Sequence, residues 1–141
     1  MTTVLFPGSF DPFTDGHEAV VRRILPLFDR VVIAVGVNSD KRCTFSPPDR
    51  VARIRTRFAG CDKVEVLSYE GMTVDLCHQV GAQAIVRGIR GAEDIEYERL
   101  IATVNRRLDP AIETLFVLAD DEHRNISSTL EREKMLHPSH S

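Results

Sequence analysis

The chain has 141 residues, 18 Lys and Arg against 21 Asp and Glu, a formal net charge of -3, 43% hydrophobic residues and 3 Cys; that is enough for one core, so a single domain over residues 1–141 with one active site is expected. The acidic balance argues against a general nucleic-acid binder, and Cys43, Cys61 and Cys77 are odd in number and lack the close spacing of a zinc ribbon or redox pair, which points to a reducing compartment. No signal-peptide pattern and no run approaching ~20 apolar residues is present, so the chain reads as cytoplasmic, with no membrane or nucleic-acid partner.

Short runs of Val, Ile, Leu and Phe alternate with helical patterns, the signature of βαβ units and of an α/β, doubly wound, five-stranded parallel sheet with right-handed crossovers. The first strand is expected at Thr3 to Phe6. A helix follows from about Gly16, capped by Thr14 or Asp15, with Val20, Ile24, Leu27 and Phe28 on one face and Pro26 kinking or shortening its last turn. The second strand, Arg30 to Val37, is nearly continuous in apolar residues, as a strand covered on both faces should be. Ser46 as cap, Pro47 at the first helical position and Gly60 beyond Val51, Ile54 and Phe58 mark a second helix, whose Arg-rich flank is expected to face water. Lys63 to Ser68 reads as the third strand and about Met72 to Val80 as the third helix, stopping at Gly81, with His78 at the edge of the core. Ala84 to Val86 is the fourth strand. Ala92 to Leu108 is the fourth helix, its acidic start at Glu93, Asp94 and Glu96 and basic end at Arg106 and Arg107 complementing the helix dipole. A strand at Thr114 to Leu118, a short helix from about Ser127 to Leu136 and a frayed tail over 137–141 complete the pattern.

In a parallel sheet the carboxyl ends of the strands meet, so the polar segments 7–11, 38–41, 70–73, 87–90 and 120–128 form the default ligand site. Thr14-Asp15-Gly16-His17 opens the first helix, where backbone N–H groups and the positive dipole end receive phosphate; His17 would set a ring N–H against a phosphate oxygen, with Ser9 and the Ser9-Phe10 amides cradling the same group. The spacing alone leaves open that Gly16 is a turn residue and His17 a solvated first-turn histidine. Arg87-Gly88-Ile89-Arg90 sets two fixed positive charges at a strand end, which need either an anion or Glu93 and Asp94 as ion-pair partners. Lys41 is a phosphate ligand or a solvated loop lysine. Glu98 recognises a ribose hydroxyl or faces water, and Ser127, Ser128 and Thr129 receive a polyphosphate at a helix terminus or simply cap it. His123, His137 and His140 make no convincing metal set, and no metal-ligating residue is assigned. The chain has no G-x-x-x-x-G-K-S/T loop, no G-x-G-x-x-G after the first strand, no H-E-x-x-H and no G-x-S-x-G, which disfavours P-loop hydrolysis, hydride transfer and acyl-enzyme chemistry.

Phe6-Pro-Gly-Ser-Phe-Asp-Pro-Phe-Thr-Asp-Gly-His17, Gly71-Met-Thr-Val-Asp75, Ile85-Val-Arg-Gly-Ile-Arg90, Asp94-Ile-Glu-Tyr-Glu98 and Ile126-Ser-Ser-Thr129 together closely resemble the bacterial phosphopantetheine adenylyltransferases, over nearly the whole chain. T-x-G-H alone indicates only the wider nucleotidyltransferase superfamily and its Rossmann-like fold; the R-G-x-R and E-Y-E blocks are much more specific. The resemblance implies transfer of AMP from ATP to 4'-phosphopantetheine, giving dephospho-coenzyme A and pyrophosphate in coenzyme A biosynthesis. It also implies magnesium, a homohexamer and coenzyme A as a candidate feedback inhibitor. Carried over by position, it implies His17 as transition-state stabiliser, acting with Lys41 and Arg90. Ser9, Lys41, Thr73 and Arg87 fall at the phosphopantetheine site, and Ser9, Phe10, His17, Gly88, Ile89, Arg90, Glu98, His123, Arg124, Asn125, Ile126, Ser127, Ser128 and Thr129 at the ATP site. Such a transfer needs no protein nucleophile, because the acceptor's own phosphate attacks. His123 stands where the family usually has an aromatic residue, Thr129 replaces the commoner third serine, and the family usually adds another helical segment where this chain stops at Ser141. A related adenylyl- or cytidylyltransferase acting on another phosphate would carry the same T-x-G-H; Lys41, Thr73 and Arg87 together favour phosphopantetheine.

Overall fold

The structure, a computed structural model, describes residues 1–38, 42–119 and 126–136, with the backbone alone for 126–129. Five strands, β1 (Thr3–Gly8), β2 (Arg30–Gly36), β3 (Val64–Tyr69), β4 (Ala84–Ile89) and β5 (Glu113–Leu118), alternate with the helices α1 (Asp15–Ile24), α2 (Pro47–Arg57), α3 (Thr73–Val80), α4 (Ala92–Leu108) and α5 (Ile126–Leu136). Every ladder is parallel and the strand order is β3-β2-β1-β4-β5, the doubly wound sheet that the strand pattern predicts.

The apolar runs divide between two layers with the strand period of two. Val4, Phe6, Val31, Ile33 and Val35 pack with Val20, Val21 and Ile24 of α1 and Val51, Ile54 and Phe58 of α2. Leu5, Val32, Ala34 and Ile85 point the other way, onto Leu76 and Cys77 of α3. Covering on both faces is what the unbroken apolar stretch of β2 requires.

Several boundaries differ from expectation for physical reasons. β4 continues to Ile89 because β5 pairs with it from Ala84↔Glu113 through Ile89↔Leu118, so Arg87, Gly88 and Ile89 are strand residues rather than a loop. β1 continues through Pro7 and Gly8, paired with Ala34 and Val35. A strand residue directs its N–H and C=O to the same side; the Pro7 carbonyl faces Arg87 of β4, where the β1–β4 ladder has already ended at Leu5↔Ile85, so the missing proline N–H costs no ladder bond. α1 stops at Ile24, and Pro26 sits in a 3-10 turn over Leu25–Leu27 that leaves Leu27 exposed instead of on the apolar face. Ser46 Oγ caps α2 by accepting from Asp49 N–H at 3.3 Å, as expected, but the arginine flank of that helix is not all in water: Arg50 is 5% exposed. Gly81 ends α3 in the left-handed conformation, φ 75°. His78 is exposed, not at the core edge, because it turns out to bond Asp109. The tail over 137–141 lies outside the described residues. Among the described residues no helix is long and apolar enough to cross a membrane.

Candidate active site

The site opens where the sheet splits. β1 and β4 pair only at Val4↔Ala84 and Leu5↔Ile85, yet both strands run on, so their carboxyl ends diverge at the point where strand order turns outward in both directions. Open α/β sheets bind ligands in this crevice. A cleft of about 480 Å³ is bordered by Asn38, Arg50, Tyr69, Thr73 and Asn105. A second, of about 960 Å³, is bordered by Phe10, Thr14, His17, Gly88, Arg90 and Glu98. Pro7, Gly8, Ser9, Asp11 and Arg87 line both.

Arg87 divides the two clefts. Its guanidinium donates to the Pro7 carbonyl at 2.7 Å, spanning the diverged strands, and donates through Nε and Nη2 to both carboxylate oxygens of Glu98, each at 2.7 Å. The ionic partner of Arg87 is therefore Glu98, not Glu93 or Asp94. Glu98 does not face water: it is 8% exposed. Asp94 instead accepts the backbone N–H of Arg90 at 3.0 Å. The Arg90 side chain is exposed in the larger cleft, without an ion-pair partner among the described residues.

Thr14 caps α1, its Oγ1 accepting from His17 N–H at 3.3 Å while its own N–H donates to His17 Nδ1 at 2.9 Å. A backbone amide can only donate, so Nδ1 is the bare nitrogen and the proton resides on Nε2. The ring packs against Phe10 and Phe13, centroids 5.1 and 5.3 Å away. Burial first, then the charges of Arg90, Arg87 and Arg57, hold the imidazole pKa below its ordinary 6.5. His17 is thus a neutral donor beside a cationic cleft. An NMR titration of the imidazole is expected to show the Nε2–H tautomer and a midpoint below 6.5. In the unfolded chain the group takes its proton at the ordinary value, so the stability tied to neutral His17 is present above pH 6.5 and declines as pH falls through it. A midpoint at or above the ordinary value in the free protein would contradict this environment.

Ser9 lines both clefts and its carbonyl accepts from Arg50 Nη1 at 2.6 Å. Phe10 follows in the left-handed region, φ 48°, with its ring buried against His17. A Cβ on Gly8 would come within 2.8 Å of that ring, so only glycine fits there. Phe10 consequently offers a ligand its backbone, not its ring. Ile89 is likewise buried, its carbonyl taken by Ala119 N–H at 2.8 Å. Gly88 borders the larger cleft, and Thr73, sharing a hydrogen bond with the Tyr69 hydroxyl at 3.0 Å, borders the smaller. Lys41, His123, Arg124 and Asn125 lie outside the described residues, as do the side chains of Ile126, Ser127, Ser128 and Thr129, whose backbone opens α5.

Two residues to which the sequence pattern gave no role of their own also belong to the site. Asp11 accepts from Thr44 N–H at 2.6 Å and Phe45 N–H at 2.8 Å, tying the turn after β1 to the entry of α2. Arg50 shares the spacing of Ile54 and Phe58, four residues apart on one helical stripe, so periodicity does mark it as buried. Asp11 carries no such signal.

The sequence matches the family described as Cytidylyltransferase-like over residues 5–134. A protein of Leptospira biflexa serovar Patoc named phosphopantetheine adenylyltransferase is 45% identical over 133 residues, covering 94% of this chain and 83% of its own. One of the same name from Flavobacterium psychrophilum is 47% identical over 133 residues, covering 94% and 87%. Among solved structures, a bifunctional NMN adenylyltransferase/ADP ribose pyrophosphatase from Francisella tularensis shares the fold with a TM-score of 0.63 at 21% identity, over 97% of this chain and 42% of that one.

Proposed function

The chain belongs to the phosphopantetheine adenylyltransferases, within the Cytidylyltransferase-like family, and on that premise we propose that it transfers AMP from ATP to 4'-phosphopantetheine, forming dephospho-coenzyme A and pyrophosphate. The observation that carries this reading is the pair of clefts meeting at Arg87, which leaves room for a phosphorylated substrate on either side of one cation. An oxygen of the acceptor phosphate attacks the α-phosphorus of ATP. The new P–O bond forms as the bond to the bridging oxygen of the β-phosphate breaks, and that electron pair leaves with pyrophosphate. The protein contributes position and charge.

ATP takes the larger cleft. His17 Nε2–H donates to the α-phosphate oxygen on which charge builds, Arg90 receives the leaving phosphates, and Gly88 and the Ser9-Phe10 amides present backbone, whereas Ile89, with its carbonyl on Ala119, only holds β4 against β5. The family resemblance assigns residues His123 to Thr129 to the nucleotide. Phosphopantetheine takes the smaller cleft, its phosphate on Arg87, Ser9 and Lys41 and its arm towards Thr73. Each Glu98 oxygen bonded to Arg87 keeps a second lone pair, so a ribose hydroxyl can add to that pair without displacing it.

Magnesium fits this site through the nucleotide. Among the described residues no group of three or more His, Cys, Asp or Glu side chains could hold a metal, and the ion commonly binds through substrate phosphates with one or two carboxylates; Glu93 and Asp94, at the larger cleft, are the candidates. When bound it neutralises polyphosphate charge. A homo-oligomer, by resemblance a hexamer, is part of the same proposal. α4 turns Glu98, Ile101, Ala102 and Asn105 to the clefts and leaves Tyr97, Leu100, Val104 and Leu108 exposed, an apolar stripe that a second copy would cover.

Purified protein with ATP and magnesium is expected to release pyrophosphate when given 4'-phosphopantetheine, and not with nicotinamide mononucleotide or no acceptor. Release with nicotinamide mononucleotide alone would keep the fold and overturn the substrate.

A further inference from the structure

The end of β1 is held from both sides. From β4, Arg87 takes the Pro7 carbonyl; from the first turns of α2, Arg50 Nη1 takes the Ser9 carbonyl at 2.6 Å and lies 3.5 Å from the Gly36 carbonyl. Arg87 has Glu98 to balance it. Arg50 has no carboxylate among the described residues, is 5% exposed, and its Nε is buried without a partner. Burying a guanidinium this way costs more than a carbonyl contact or two offsets, so packing alone does not account for it.

Ser9 and Phe10 are joined by a trans peptide, since the cis bond of this turn is Asp11-Pro12. In a planar trans peptide the carbonyl and the N–H point in opposite directions. Arg50 borders the smaller cleft and not the larger, while Phe10 borders the larger and not the smaller. With its carbonyl fixed on Arg50, the peptide directs the Phe10 N–H away from Arg50, and Phe10 itself borders the larger cleft.

We infer that Arg50 is a positioning residue for the transfer: it orients the Ser9-Phe10 peptide between the two phosphates and lends an unbalanced positive charge to the wall of the acceptor cleft. The inference rests on the proposed reaction and adds a residue to it. Two effects separate within one side chain. The charge acts on the incoming dianion, and so on KM for phosphopantetheine. The two-carbonyl grip acts on the geometry of attack, and so on kcat.

Arg50→Met is expected to raise KM for phosphopantetheine about tenfold and to lower kcat about tenfold, the range of a lost charge-assisted hydrogen bond. Affinity for a non-hydrolysable ATP analogue, read by calorimetry, should fall by clearly less than the rise in KM for phosphopantetheine, about threefold at most, with its stoichiometry unchanged. Arg50→Lys keeps the charge without the planar fork, so it should restore that KM to within about threefold of wild type while kcat stays low. Equal changes for both substrates, or a lower stoichiometry of analogue binding, would reduce Arg50 to a structural residue and overturn the inference. If Arg50→Met does not fold, Arg50→Lys decides alone, and wild-type kcat in that variant overturns it. Wild-type protein run alongside separates the two failures. No turnover of phosphopantetheine by the wild type defeats the reading beneath, whereas normal turnover with unchanged variants defeats only the role of Arg50.

Discussion

Replacing His17 with Ala is expected to lower kcat by about two to three orders of magnitude while KM for ATP and for phosphopantetheine each shifts less than about threefold. The split follows from the protonation state of the ring. Thr14 N–H occupies Nδ1, and burial with three nearby arginines keeps the imidazole neutral. A neutral donor adds little to the attraction of a ground-state polyphosphate already surrounded by cations. It matters most when charge accumulates on the oxygen it meets, and the packing of Phe10 and Phe13 against the ring means no reorganisation is needed at that moment. A cationic His17 serving mainly to bind ATP would instead raise KM for ATP in step with the fall in kcat, and that result would defeat this role. The substitution also removes one half of the capping box, a loss of roughly 1 kcal/mol. His17→Gln retains an acceptor for the Thr14 amide, so it should regain the stability while recovering kcat only in part.

The limits of the sequence reading lie where contacts are long-range. β2 and its two-sided burial could be read directly, because a run such as Val31 to Val35 satisfies both layers by itself. The end of β4 could not. Arg87, Gly88 and Ile89 have no apolar pattern of a strand and acquire that geometry from pairing with Phe116, Val117 and Leu118. For the same reason Glu93 and Asp94, close in sequence, are the natural partners for Arg87 on the sequence alone, whereas the pair forms with Glu98 once α4 packs against β4. Motif resemblance names residues rather than atoms. It brings Phe10 and Ile89 to the nucleotide, and the structure turns both side chains into the core, leaving the backbone of Phe10 at the larger cleft but tying the Ile89 carbonyl to Ala119. Arg50 shows the opposite case: the 50, 54, 58 spacing contains the signal, but a run of arginines reads first as a solvated flank.

The Arg87–Glu98 pair couples stability to function, and a double-variant cycle should pull the two apart. Arg87→Met leaves the Glu98 carboxylate, 8% exposed, without its partner, and is expected to cost about 3 kcal/mol, a large share of the ~5–15 kcal/mol that holds a domain together. Glu98→Gln should cost less, about 1 kcal/mol, because the Arg87 side chain is 27% exposed and keeps the Pro7 carbonyl. The double variant Arg87→Met/Glu98→Gln contains no uncompensated buried charge, so urea unfolding should return most of the stability lost in Arg87→Met. Activity should not return with it. The acceptor phosphate still lacks its cation, and kcat/KM for phosphopantetheine should stay roughly 10²- to 10³-fold below wild type in both Arg87 variants. If turnover recovered together with stability, Arg87 would be a strut between β1, β4 and α4 and not a ligand of the acceptor. If neither recovered, the cost of Arg87→Met would arise from the opened β1–β4 crevice and not from the stranded carboxylate.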